Sequence, residues 1–376
     1  MTHQAPDDRT PANSFRNNEA LLAALLVAVA LAGGCDDGDS GPSPDAVPVR
    51  VLTFNIGNPH ADDPGYPLRL KHQAYEDYVG EQIRTLEPDI VLLQEVLPTT
   101  HCDTLDETDP ALTCYDSDTR EPPVRRILGP DYTIVCDSRL HVECIGVHVD
   151  FGALSGIPLG GYELSGAATP DLPMDSCDYA AGTCSNDFCD YESTVSAVTV
   201  ETGFGELRVV HLHPNAAGSG FDGAYNGAPC RALQLQQVFE GLPGHDDTPL
   251  VTASPTVAAG DFNMDPIRMT STEETAVWDA HIGPGNRFTD FTPTDDDGTQ
   301  YATRRGAFGI AIDHVVADRA AGACTVFGHD EGFGPDPGTV SLDDGFDWSL
   351  VPDEEWYASR IDHFAILCDL TMDFTQ

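Results

Sequence analysis

Polar and apolar positions begin to alternate at residue 49. Val49, Val51, Thr53 and Asn55 fall on one face, and Arg50, Leu52, Phe54 and Ile56 on the other. A period of two predicts a strand, which Gly57 ends in a turn. Tyr75, Val79, Ile83 and Leu86 then recur at helical spacing, and Pro88 closes that helix. DIVLLQEV (89–96) is an apolar run with the length of a buried strand, and its last polar residues are Gln94 and Glu95. STVSAVTVET and ELRVVHLHP flank Gly203 and Gly205 and predict a hairpin. CRALQLQQVFEGL (230–242) reads as a helix with Leu235, Val238, Phe239 and Leu242 along one side. TVAAGDFNMDP (256–266) predicts a strand running into a polar turn, and AFGIAIDHVVAD and RIDHFAILCDL predict the last two strands.

Between about 100 and 192 the pattern loosens. Only YTIVCDS and HVECIGVHV predict strands there, and the remainder reads as Cys-rich, disulfide-stapled loops. No linker interrupts the chain from residue 48 onward, so 48–376 is read as one domain of strands interleaved with a few helices. Ahead of it, residues 35–47 are an acidic Gly/Ser/Pro tether with nothing to bury. Residues 1–34 carry an unbroken apolar run, Leu21 to Ala32, followed by Gly33-Gly34-Cys35. The run is shorter than the ~20 residues of a membrane span and fits a secretory signal. LAGGC resembles the bacterial lipoprotein box, with Ala32 where Leu is usual, which implies a lipid on Cys35. The expected location is therefore outside the cytoplasm, on a membrane-anchored lipoprotein. Cysteine usage agrees: of 11 cysteines, acylation of Cys35 leaves an even set for disulfides in an oxidising compartment. Cys102–Cys114 and Cys136–Cys144 are possible local closures. The formal net charge of −44 opposes binding to polyanions through basic patches, but not an enzyme that uses divalent cations.

The chemistry lies at strand ends. Asn55 and Glu95 end the first two strands, His211 and His213 a third, and Asp261 and Asn263 follow a fourth. Asp313 lies within a fifth, and Asp362-His363 opens the sixth. Buried carboxylates are costly unless paired or bound to metal, so six such ends imply convergence on one site. Oxygen-rich donors suit Mg²⁺, Mn²⁺ or Ca²⁺ better than zinc.

LTFNIG, DIVLLQEV, VVHLHPN, GDFNMDP, AIDHVVAD and RIDHFAIL, in that order from about Val49 to Leu370, resemble the endonuclease/exonuclease/phosphatase superfamily. That group includes deoxyribonuclease I, exonuclease III, neutral sphingomyelinases and inositol polyphosphate phosphatases. The resemblance implies an α/β fold, a four-layer sandwich of two packed β-sheets flanked by helices, and metal-dependent phosphoester hydrolysis. It implies that Asn55 and Glu95 hold the catalytic metal, with Asp362 as a further metal or water contact. His213 would contact the phosphate or protonate the leaving oxygen, with His211 as the competing candidate. Asp261 and Asn263 would position water and phosphate, Asp313 would orient His363, and His363 would be the general base. His314 should then point away. The chain departs from the usual motifs at Gly57, where some members carry an acid, and at Ile361, where Ser is usual.

Three phosphoester substrates fit: nucleic acid or another phosphodiester, a phospholipid or sphingomyelin, and a small soluble phosphate. The first ranks ahead, for a monomer. A binding lipoprotein without activity is the non-enzyme alternative, and loss of Glu95 or His363 would mark it; neither is lost. Arg231 reads as a surface charge, with a phosphate contact as the alternative, and the aromatic, acidic segment 346–357 as a loop beside the pocket or a self-packed one.

Overall fold

Nearly every predicted strand is apolar on both faces, which requires cover on both sides. The computed structural model supplies it with two sheets and two pairs of helices. It describes residues 46–57, 73–96, 121–138, 142–168, 194–215, 227–242, 247–268, 273–294, 300, 303, 310–327 and 363–375. Cys35, nearly all of the tether, the 346–357 segment, Asp362, and Cys102 and Cys114 lie outside these residues.

The elements in chain order are β1 (Val47–Asn55), α1 (Gln73–Leu86), β2 (Ile90–Gln94), α2 (Pro123–Leu128), β3 (Tyr132–Asp137) and β4 (Cys144–His148). β5 (Gly152–Leu154), β6 (Tyr162–Ala167), β7 (Thr194–Thr202), β8 (Gly205–His213), α3 (Ala228–Phe239) and β9 (Thr256–Asp261) follow. The last are α4 (Glu273–His281), β10 (Thr289–Asp290), β11 (Asp313–Ala317), β12 (Ala320–Phe327) and β13 (Ala365–Met372). One sheet runs β12-β13-β1-β2-β4-β3-β6 and the other β10-β11-β9-β8-β7-β5.

Side-chain parity sorts the layers. Val49, Val51, Ile90, Leu92, Ile145 and Val147 from one sheet meet Val198, Val200, Leu207, Val209, Val257 and Val315 from the other. The alternate positions Leu52, Val91 and Leu93 pack on α1 and α2 through Val79, Ile83, Val124 and Ile127. Val210, Leu212 and Ala258 pack on α3 and α4 through Leu235, Val238 and Trp278. Each such buried aliphatic side chain contributes roughly 1.5–3 kcal/mol of transfer free energy. The four layers are those that the family resemblance implied.

The 100–192 region is more ordered than its loop reading. It contains α2, β5 and β6 in addition to the two predicted strands. β6 is mostly exposed and lacks apolar alternation; parallel pairing with β3, Ile134 opposite Tyr162, gives it its form. β12 is similarly defined by β13, with Cys324 directly opposite Cys368 and bonded to it. Cys136–Cys144 joins facing residues of β3 and β4 in the same way.

Candidate active site

Strand direction gathers the polar residues. β1 and β2 are parallel and end at one edge; β4 and β13 run antiparallel to them and start there. β8 and β9 end at the corresponding edge of the other sheet, where β11 starts. Parity does the rest. The positions that carry aliphatics in the middle of the sandwich carry Asn55, Gln94, Glu143, His213, Asp261 and Asp313 at this edge. The gap between the sheets thus turns from apolar to polar along its length.

Asp261 and Asp313 are facing partners across β9 and β11, and both are buried. β9 approaches β8 so closely before Asp261 that a Cβ on Gly260, at φ +149°, would lie 1.8 Å from the Leu212 carbonyl oxygen. Only glycine admits that approach. His363 precedes β13 and is held by Asp313: Nδ1 lies 2.9 Å from Oδ2 and 3.2 Å from Oδ1. The carboxylate accepts, so Nδ1 carries the proton and Nε2 is left facing Asp261 Oδ2 at 3.5 Å.

His213 approaches the same oxygen from the other side. Its Nε2 is 3.8 Å from Asp261 Oδ2 and 3.7 Å from Glu95 Oε1. Its Nδ1 is 2.6 Å from Glu143 Oε1. Burial on its own disfavours the imidazolium, but Glu143, then Asp261 and Glu95, outweigh it and push the His213 pKa well up. Burial likewise raises the Glu143 carboxyl, with His213 pulling it back. His211, two residues earlier on the same face, is fully buried; that burial, with the charge of His213 adding, lowers its pKa to about 3, and Glu143 comes no nearer to it than 3.8 Å. Of the two competing histidines, only His213 meets Glu95 and Asp261.

Asn55 sits between the acids. Its Nδ2 donates to Glu95 Oε1 at 3.0 Å and to Asp261 Oδ2 at 3.1 Å, and its Oδ1 accepts from the Gly57 N–H at 2.9 Å. Asn55 thus tethers both carboxylates, and its Oδ1, which accepts a single N–H, keeps a second lone pair. Asn263 donates its backbone N–H to Asp261 Oδ1 at 2.8 Å and its amide to the Pro214 carbonyl at 2.9 Å. Glu95 and Asn263 both have positive φ, +59° and +52°. Asn tolerates that region, but Glu does so at a cost of about 1–3 kcal/mol, the kind of strain retained at functional sites.

His314 lies on the opposite face of β11, between Thr292 Oγ1 and the Met264 carbonyl and against Phe262 and Trp278. Arg231 is no surface charge. It is 1% exposed, pairs with Glu274 at 2.9 Å and donates to the Asn215 carbonyl, clamping the segment after His213. Glu143 went unrecognised in the sequence. The signal was present: it is a carboxylate at the interior parity of the strand that carries Ile145 and Val147.

The donors suit a hard divalent cation. Asp261, Asp313 and His363 each offer an atom within 4.8 Å of the other two, and Glu95 stands at the partly exposed rim. Burial raises the Asp261 pKa, with Asp313 adding to it and His363 and His213 pulling it back.

The Bacteroides vulgatus endonuclease/exonuclease/phosphatase superposes with a TM-score of 0.50 at 15% identity, over 87% of this chain and 100% of that one. D. rerio TDP2 complexed with single-strand DNA product gives 0.47 at 11% identity, over 86% and 98%. The human Nocturnin catalytic domain with bound sulfate gives 0.45 at 16%, over 87% and 95%. No curated protein sequence matches the chain. The sequence profile of the Endonuclease/Exonuclease/phosphatase family matches residues 52–341. Since that match spans most of the chain, and the first of these structures shares its fold, the protein belongs to the Endonuclease/Exonuclease/phosphatase family.

Proposed function

We propose that the protein is a divalent-metal-dependent phosphoester hydrolase, acting as a phosphodiesterase or nuclease. The observation that carries this reading is two imidazoles converging on Asp261 Oδ2, one tied to Asp313 and the other to Glu143. His363, protonated at Nδ1 by its bond to Asp313, has an Nε2 lone pair ready to take a proton from water. His213, paired with Glu143, keeps its proton at neutral pH and can donate to a phosphate or leaving oxygen. Asp261, fixed by Asn55 and the Asn263 N–H, orients water between the rings. Asn55, Glu95 and Asp362 would hold Mg²⁺ (or Mn²⁺ or Ca²⁺), with the Asn55 amide also fixing the Glu95 carboxylate. The bound cation would neutralise a non-bridging oxygen and stabilise the charge that develops on it.

The test is hydrolysis of bis-p-nitrophenyl phosphate with Mg²⁺, then with EDTA. His363→Ala should lower kcat by roughly 10²–10⁴-fold while leaving the unfolding midpoint nearly unchanged. Absence of turnover with every divalent metal would leave the surface binding module as the reading.

Charge favours a second substrate reading, a phospholipid or sphingomyelin. The net charge is −44. Among the described residues Arg50, Arg84, Arg125, Arg126, Arg208, Arg231, Arg268, Arg287 and Arg319 are each engaged by a protein carbonyl or carboxylate. Duplex binding normally needs free cations along a groove. Export and a lipid on Cys35 would put a bilayer within reach. Parallel assays on plasmid DNA and sphingomyelin liposomes separate the substrates, and Cys35→Ala should release the protein from membranes.

A further inference from the structure

Behind His213 the polar layer continues into a region with no place in the reaction above. His211 is wholly buried there, and its Nε2 lies 2.6 Å from Gln94 Nε2. The same Gln94 nitrogen is 3.3 Å from the Leu92 carbonyl, which can only accept, so this atom is the amide NH₂. Gln94 therefore donates to His211 Nε2, and the His211 proton must sit on Nδ1. That N–H donor has no protein partner. Glu143 Oε1 takes His213, while Glu143 Oε2, an acceptor 3.8 Å from His211 Nε2, has none either. The hydroxyls of Ser196 and Thr194 are also buried and unpartnered. Strand register gathers these groups: Ser196 lies directly opposite His211 and Thr194 opposite His213, on the inward face of the β7–β8 pair.

One orphan donor, one orphan acceptor and two hydroxyls belong to residues that strand register and the approach of Glu143 to His211 bring together, and as a set they are complementary. Unpaired buried polar groups each cost roughly 1–3 kcal/mol, and native proteins answer such sets with water making about three hydrogen bonds. We propose that a buried water site lies behind His213, held by His211 Nδ1–H, Glu143 Oε2 and the Ser196 and Thr194 hydroxyls, making His211, Ser196 and Thr194 positioning residues for the Glu143–His213 pair. The water accepts from His211 and from one hydroxyl, and donates to Glu143 and to the other hydroxyl. Glu143 is thereby held at both oxygens, and its direction fixes that of the His213 ring. The depressed pKa of His211 agrees with a neutral ring that donates only from Nδ1.

A crystal structure of the wild-type chain should show water within hydrogen-bond distance of Glu143 Oε2 and His211 Nδ1. Nitrogen-15 spectra should show the His211 proton on Nδ1. In Thr194→Val/Ser196→Ala the low-field proton of the His213–Glu143 bond should shift. Its kcat on bis-p-nitrophenyl phosphate with Mg²⁺ should fall about tenfold with KM within about twofold, whereas Thr194→Ser stays within about twofold of wild type. A dry layer, a His211 proton on Nε2, or a double variant with unchanged resonance and kcat would each overturn the proposal. The density and the spectra do not depend on turnover. An inactive wild type would therefore sink the hydrolase reading while these two observations still decided the water site.

Discussion

Acidification tests the buried polar layer most directly, through His211. Its pKa falls to about 3 because it is sealed from water beside His213. The unfolded chain takes up a proton near the ordinary value of about 6.5, while the folded chain refuses it until about 3. Stability from a neutral buried His211 is therefore complete above about pH 6.5 and is lost as pH falls toward 3. At pH 4 the unfolded state has gained about 2.5 pK units of proton binding that the folded state lacks, which is ~3 kcal/mol. A folded pKa one unit higher changes that figure by only ~0.4 kcal/mol, so the expectation is robust. The assay is urea unfolding of wild type and His211→Gln at pH 7 and pH 4. Groups remote from His211 titrate alike in both proteins and cancel in the double difference. The variant should lose about 3 kcal/mol less than wild type across that interval. Equal losses would show that His211 is not a sealed neutral imidazole, and the account of the layer behind His213 would fall with it.

Other consequences follow from named contacts. Glu143→Gln removes the counter-charge 2.6 Å from His213 Nδ1; kcat on a small phosphodiester should drop about 10²-fold, in line with the ~3 kcal/mol of a charge-assisted bond, and a rate within threefold of wild type would refute the pairing's role. Glu95→Gly relieves the positive φ, so unfolding free energy should hold or rise by up to about 1 kcal/mol while metal-dependent turnover is lost; a clear fall in stability would count against strain at this turn. Arg231→Met strands the buried Glu274 carboxylate and should cost roughly 3–5 kcal/mol in urea unfolding, with Arg231→Met/Glu274→Met regaining most of it; a double variant no better than the single would refute a buried pair.

Much of the site was legible because two periodicities are local. Alternation along 49–56 places Thr53 and Asn55 on the face of Val49 and Val51, and the same count places His211 with His213. These follow from the pleat of a single strand and need no partner. Acids and amides closing apolar runs marked Glu95 and Asp261 for the same reason: burying them without a purpose is expensive. Glu143 escaped although HVECIGVHV reads as a strand, because it stands just ahead of Cys144 at the start of that run, where a carboxylate is usually solvated. Arg231 was misread because a guanidinium on a helix is exposed far more often than buried.

The sequence alone determined which residues share a face, where strands stop, and which end of each strand is polar, since these depend on backbone geometry within a few residues. Tertiary structure decided which ends meet: that Asp313 faces Asp261, that His363 leans on Asp313, and that Glu143 accepts its hydrogen bond from His213 while lying 3.8 Å from His211. Those choices depend on pairings between segments up to hundreds of residues apart, made by whole sheets packing face to face, and no local window of sequence carries that information.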